Sequence, residues 1–300
     1  MRDKYRSITI LVNSCDDYKD AWDPFFRLLK IQWPKCSNYR IILNTESQVY
    51  NCDFLNVETI CGGQGIPWAK RLKNVLSRIT SEYILYFLED FFLMSPVSDE
   101  SFSQAFELME SDKLIGYIGL KYNKTHEFKD KSKEDFTQPF LNKDDLVKLN
   151  RVNSMTALWR KSWLESLIRM HETPWEFEKY ASIRSLRTKE KVLIINNKIC
   201  PPVFDYQVDF VYGYGISGKK WLPKNKELFK KYDITVDFNN LGFIDEYTYQ
   251  TRIAQDKGIN NYTKQKPNYN LREQLYIIKK RIVTFPKKIK NLARKIHSLV

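Results

Sequence analysis

A chain of 300 residues with 43% hydrophobic and 14% aromatic side chains can fill one large core or two modest ones, which excludes a disordered polymer. No run approaches the roughly 18 uninterrupted apolar residues of a membrane span, and the opening "MRDKYRSITILVNSCDD" has too short an apolar stretch, broken by Asn13, for a secretory leader. The formal net charge is +13; nine Lys or Arg against one acid put +8 in residues 271–300 and leave +5 for the first 270, so a basic tail on a nearly balanced body points to an anionic surface.

In chain order, "SITILVN" (7–13) is a β-rich run bounded by polar turn residues and predicts a strand. "AWDPFFRLLKIQW" (21–33) has helical spacing, with Pro24 allowable in a first turn. "YRIILN" (39–44) predicts a second strand. "CGGQGIP" (61–67) is a glycine-rich loop, and "PWAKRLKNVLSRI" (67–79) starts at a proline and reads as an amphipathic helix. "YILYFL" (83–88) suits a strand buried on both faces. "SDESFSQAFELMESD" (98–112) predicts a capped helix and "LIGYIGL" (114–120) another strand. Residues 121–143 are polar and lysine-rich and read as a mobile loop. Residues 151–168 look like a strand passing into a helix, and 172–186 like a helix with Pro174 near its start. "VFDYQVDFVYGYGISGKKW" (203–221) alternates and then turns through glycines.

This alternation predicts an α/β fold with a mostly parallel central sheet flanked by helices. Ligands of such sheets bind beyond the carboxyl ends of the strands. The 83–88 strand ends there on Glu89 and Asp90, and buried carboxylates are costly unless a cation meets them. A bond to a nearby arginine or a cap on the next turn would answer that cost. So would Mg2+ or Mn2+, which prefer oxygen ligands and bridge them to phosphate. Five cysteines, odd in number and without CxxC spacing, fit a reducing cytosol better than a zinc site or a disulfide framework. No Gly-x-Ser-x-Gly, His-Glu-x-x-His or paired Cys–His arrangement occurs.

The order "ITILVNSCDD", "RIILN", a glycine-containing loop, "PWAKRLKN" and "EYILYFLEDFF" resembles the nucleotide-sugar half of GT-A glycosyltransferases, above all bacterial enzymes of capsule and O-antigen biosynthesis. The resemblance covers roughly residues 7–120. It implies a Rossmann-related GT-A-like fold with a nucleotide-sugar-binding half at 1–120, an acceptor-binding half at 121–262 and a basic tail at 263–300. It also implies hexosyl transfer from a nucleotide sugar, UDP-linked, to a lipid-linked or polysaccharide acceptor with inversion, assisted by Mn2+ or Mg2+. Ser14, Asp16 and Asp17 then fall where the family holds the nucleoside, although a turn and N-cap is the alternative for the two aspartates. Arg71 falls where a cation approaches the donor diphosphate. The family's DxD motif has a spacer, whereas "LEDF" sets its acids side by side, so Asp90 is assigned to the metal and Glu89 to the ribose or to a water in the metal's shell.

An inverting transfer needs a carboxylate to take the acceptor's proton. "WEFE" offers Glu176 and Glu178 between the sugar-compatible rings of Trp175 and Phe177, with Glu176 favoured as base and Glu178 as a positioning group. The alternative is an acidic first turn complementing the helix dipole. "YGYGISGKKWLP" (212–223) reads either as a lid closing on the diphosphate through Lys219 and Lys220 or as a solvated turn. In the tail, Leu271, Leu275, Ile278, Ile282 and Phe285 form one apolar stripe that resumes after Pro286, with Lys and Arg opposite. That is the pattern of an interfacial helix on anionic lipid, and it lacks the clustered aromatic platforms of a nucleic-acid binder. The expected location is the cytoplasm, at the inner face of the cell membrane. The rival readings are a nucleotidyltransferase acting on sugar phosphates and a non-catalytic, membrane-peripheral sugar-nucleotide-binding protein.

Overall fold

The structure is a computed structural model that describes residues 3–121, 135–138, 151–196, 199–206 and 215–256. Residues 1–253 form one compact unit and 254–300 are assigned to a second. The expected tail at 263–300, most of the lysine-rich 121–143 stretch and the first part of the 212–223 segment lie outside the described residues. Among the described residues, no helix is long and apolar enough to cross a membrane.

The fold is α/β. Its centre is an eight-stranded sheet built from β1 (Ile8–Asn13), β2 (Arg40–Thr45), β3 (Val57–Cys61), β4 (Tyr83–Leu88), β5 (Ile115–Gly119), β6 (Phe136–Thr137), β7 (Ala157–Arg160) and β8 (Lys191–Ile195). The spatial order is β3-β2-β1-β4-β7-β5-β8-β6, and all strands run one way except β7 and β6. A one-turn α1 (Lys4–Ser7) leads into β1. On one face α2 (Trp22–Gln32) and α4 (Asp99–Ser111) supply Phe25, Phe26, Leu29, Phe102 and Phe106 to a core shared with Ile8, Ile10 and Val12. On the other, α3 (Trp68–Leu76), α5 (Lys161–Leu167) and α6 (Pro174–Ser185) supply Leu72, Val75, Trp163 and Phe177 to a core shared with Leu11, Ile42 and Ile84. Covered on both faces, β1 and β4 have no polar side to show, which is why their sequences run apolar without alternation.

Register fixes which ends meet. Asn13 pairs with Asn44 of β2 and Leu88 of β4, so Ser14, Thr45 and Glu89 follow at one edge of the sheet. Gly119 of β5 pairs with Ala157 and Ile194, so the start of β7 and the end of β8 lie at that same edge. The chain leaves β1 for β2 and β3 on one side and returns to β4 on the other, making β1/β4 the switch point of the open sheet.

Two strands went unassigned in the sequence. β3 is an edge strand whose Glu58 pairs with Arg40 of the neighbouring β2, and β8 is five residues that open on the last lysine of the charged "TKEK". The 121–143 stretch is not all loop either, since Phe136 and Thr137 pair with Ile195 and Ile194.

Candidate active site at the carboxyl edge of the sheet

β4 ends at Leu88, so Glu89 and Asp90 lie in the turn beyond it and are not bound to opposite faces. Glu89 is 6% exposed, with the Ser14 side chain beside it. Burial first, then the Asp90 charge, pushes its carboxyl well above the usual range, against the pull of Ser14 and Arg71. Burial likewise lifts Asp90 to about 7. Two adjacent carboxyls held toward their neutral forms by desolvation would be eased into ionisation by a cation that met them.

Arg71, in the first turns of α3, is 4% exposed. Its Nη1 donates to the Ser14 carbonyl at 2.9 Å, its Nη2 lies 3.6 Å from Glu46 Oε1, and its Nε has no partner. The glycine loop makes this possible. A Cβ on Gly62 would stand 2.7 Å from Arg71 Cγ, so close approach, not backbone freedom, requires glycine there, whereas Gly63 and Gly65 adopt φ of +102° and +74°. Cys15 faces Glu89, Glu46 and Asp17; burial and those charges push its thiol up to about 12, so it is a neutral liner and not a nucleophile. Tyr18, also raised by burial and by Asp90 and Glu89, closes the same corner.

The two aspartates after β1 divide. Asp16 accepts from the backbone N–H groups of Glu46, Ser47 and Gln48 at 3.1–3.2 Å and from the Ser47 hydroxyl at 2.6 Å. Partial burial opposes its charge, but these donors outweigh it and hold the carboxyl below its usual range. Asp16 thus ties the turn after β1 to the loop after β2. It builds the wall of the site and is not left open to a nucleoside. Asp17 is exposed and takes Lys219 Nζ at 2.5 Å. Lys219 is the second residue of the two-residue Gly218–Lys219 loop between β9 (Ile216–Ser217) and β10 (Lys220–Trp221), with φ of +58° and +62° as a type I′ turn demands. The hairpin is anchored beneath by Gly215 N–H donating to the Asp90 carbonyl at 2.6 Å and by the buried Trp221 against Phe92. The structure therefore brings Ser14, Asp17, Arg71, Glu89, Asp90 and Lys219 to one place.

Glu176 and Glu178 part company. Glu176 Oε2 accepts from the Thr173 N–H and hydroxyl, both at 3.0 Å, and the Thr173 hydroxyl accepts from Glu176 N–H at 3.3 Å. This capping box gives Glu176 the helix-end task that was the alternative to a base. Phe177 is core, so it offers no ring to a ligand. Glu178 turns instead to the carboxyl edge, accepting from Ser154 N–H at 2.9 Å and Oγ at 2.6 Å, with Tyr86, Tyr117 and Lys121 facing it. Lys121, just past β5, was missed by sequence reasoning. It is 7% exposed, lies over the Phe91 ring at 5.2 Å, and burial lowers its ammonium to about 8 while Glu178 works the other way. Glu46 and Ser154 were missed too, since only tertiary packing gives them a role.

Among the described residues no group of three or more His, Cys, Asp or Glu could hold a metal ion. A buried Glu89 beside a half-buried Asp90 still fits a hexacoordinate Mg2+ or Mn2+, which is commonly held by one or two carboxylates with substrate phosphates completing the shell.

No family model and no curated protein sequence matches the chain. Solved structures do resemble it. S. aureus TarS 1–349 in complex with UDP-GlcNAc aligns over 89% of this chain and 77% of that one, at 13% identity and a TM-score of 0.44. A cytidylyltransferase from Leptospira borgpetersenii aligns over 76% and 95%, at 13% identity and 0.41. A mannosyltransferase from Pyrobaculum calidifontis in complex with GDP-Man and Mn2+ aligns over 64% and 55%, at 10% identity and 0.40. In two further matches the chain spans 35% of TarS and 58% of its 1–349 portion. Likeness of this order extends to sugar-transferring and nucleotidyl-transferring proteins alike.

Proposed function

We propose that the protein is a GT-A-type glycosyltransferase that moves a sugar from a nucleotide-sugar donor, UDP-linked, to a hydroxyl of a glycan acceptor with inversion. The observation that carries this reading is the adjacent pair of carboxyls at the β1/β4 switch point, Glu89 buried and Asp90 half-buried, with Arg71 and Lys219 as cations in the same corner. The donor's nucleoside lies beyond β1 near Ser14, and its diphosphate lies between Asp90 and the tip of the β9–β10 hairpin. Asp90, backed by Glu89, holds the divalent cation, whose chemistry when bound is to neutralise the diphosphate leaving group. Glu178 accepts the proton of the acceptor hydroxyl as its oxygen bonds the anomeric carbon. The bond from that carbon to the phosphate oxygen breaks, and its electron pair leaves with the nucleoside diphosphate.

Two features favour this over nucleotidyl transfer. β1 runs into "NSCDDYKD", an acidic turn, where nucleotidyltransferases carry a basic glycine-rich signature. A sugar phosphate attacks as a ready anion, so a base in Glu178's position would have no task, whereas a hydroxyl needs one. The proposal extends to a lipid-linked or surface-polysaccharide acceptor reached at the inner face of the cell membrane, on the basis of the basic amphipathic sequence at 271–300.

A panel of UDP- and GDP-sugars with and without Mn2+, read by thermal shift and by nucleoside diphosphate release, tests the assignment. One donor at about 100 Kd should raise Tm by about 5 °C or more with Mn2+ present. Pyrophosphate release from UTP and a sugar phosphate would favour the nucleotidyltransferase, and donor binding without turnover would favour the scaffold.

A further inference from the structure

Helices α3 and α6 lie side by side, and each opens with the same arrangement. Trp68 begins α3 and Arg71, three residues on, reaches the Ser14 carbonyl at the end of β1. Trp175 stands in the first turn of α6 and Glu178, three residues on, bonds Ser154 at the approach to β7. Trp68 is half-buried, its ring 5.5 Å from that of Phe177. Trp175 is 77% exposed, more than any other large hydrophobic residue among those described.

A single exposed apolar residue ordinarily needs no explanation. The position of this one does. Trp175, Glu178 and Ser182 occupy one stripe of α6 at i, i+3 and i+7. Ser182 is buried and bonds both the N–H and the carbonyl of Val152, at 3.1 and 3.0 Å, and Glu178 bonds Ser154. The stripe therefore follows residues 152–154 along the carboxyl edge, and Trp175 is where it emerges into solvent, one turn beyond the carboxylate assigned as base. A broad apolar ring face beside a hydrogen-bonding carboxylate matches the two surfaces of a pyranose, the C–H face and the rim of hydroxyls.

We propose that Trp175 is the stacking platform for a ring of the acceptor saccharide, holding it so that its hydroxyl meets Glu178. This rests on the glycosyl-transfer reading and adds the class of group recognised at the acceptor side, a saccharide face. Arg71 belongs to the donor side of the same rim.

The test uses the full chain and two variants, W175A and W175F. The probes are maltotriose, mannotriose and N,N′,N″-triacetylchitotriose, titrated against intrinsic tryptophan fluorescence and, for W175A, by calorimetry. At least one oligosaccharide should bind wild type saturably, bind W175F comparably and bind W175A about tenfold or more weakly. The Mn2+-dependent thermal shift by UDP should be unchanged in W175A, which separates a lost platform from a lost fold. Equal affinity in W175A, or no oligosaccharide binding by a wild-type protein that turns over a donor, overturns the proposal. A W175A-dependent change in sedimentation also overturns it, since Trp175 would then face a second copy of the chain. If no donor is turned over and no saccharide binds, the underlying reading fails and this proposal with it.

Discussion

Glu176 and Glu178 sit two positions apart on one helix, and their hydrogen bonds give them different work. Glu176 answers the orphan N–H of Thr173 in a capping box, whereas Glu178 faces the carboxyl edge. Glu178→Gln should therefore leave donor affinity intact and lower turnover by about 10² to 10⁴. Glu176→Ala should cost about 1 kcal/mol of stability and leave turnover within a few-fold. Steady-state kinetics with thermal melts separates the two, and an active Glu178→Gln would remove it from the base's role. Asp90 carries a different prediction. Burial raises its carboxyl from 3.8 to about 7, so in the metal-free protein its contribution to stability is complete below about pH 4 and is lost as pH rises through about 7. Asp90→Asn has no charge to bury. In EDTA it should melt higher than wild type at about pH 8, by a few kcal/mol at most, and close to wild type at about pH 4. A difference that is the same at both pH values would mean that Asp90 is not held in a desolvated site.

At the scale of elements, the loops around the sheet's carboxyl edge are shaped by a few close approaches. Gly62→Ala would thrust a methyl against Arg71 Cγ, and the displaced guanidinium would lose the Ser14 carbonyl. A destabilisation of about 1–3 kcal/mol with weaker nucleotide-sugar binding is expected, and unchanged binding would separate Arg71 from the donor. The hairpin makes the opposite case. Its Lys219–Asp17 pair is exposed and solvent-screened, so Lys219→Ala should melt close to wild type. Nucleoside diphosphate affinity should fall about three- to tenfold, with the loss shrinking at high salt. These elements were unequally legible in the sequence. β1, β2, β4 and β5 are continuous apolar runs because both faces are covered, and α3 and α4 announce themselves by a starting proline or a serine cap. β3 and β8 are short, half-polar or edge segments whose identity comes from the neighbour they pair with. The site divides the same way. Glu89 and Asp90 are visible because charge at the end of an apolar strand is anomalous. Lys121 looks like one more lysine in a solvated stretch until packing buries it, and the choice between Glu176 and Glu178 turns on where α6 begins.

For the whole molecule, a mostly parallel sheet gathers residues separated by more than 160 positions, from Ser14 to Glu178, at one edge, because every βα connection returns its loop to the same end. That edge is where a soluble donor and a large acceptor would have to meet. The chain's net charge of +13 is concentrated at 271–300, where two apolar stripes flank Pro286. Removing those residues should release the protein from anionic vesicles and leave transfer to a short soluble acceptor largely unchanged, each basic residue having contributed about 1 kcal/mol near the surface. Binding that survives truncation would move the membrane contact elsewhere, and a truncated chain that fails to fold would make the segment part of the protein's own packing. The central claim, that Glu89 and Asp90 form the cation and diphosphate site of a nucleotide-sugar enzyme, is tested most directly by nucleoside diphosphate release from the donor that the panel selects. Wild type should turn over in Mn2+ and stop in EDTA, and Asp90→Asn should lose about 10³ or more of the rate with its fold intact. Turnover by Asp90→Asn at the wild-type rate would contradict the claim.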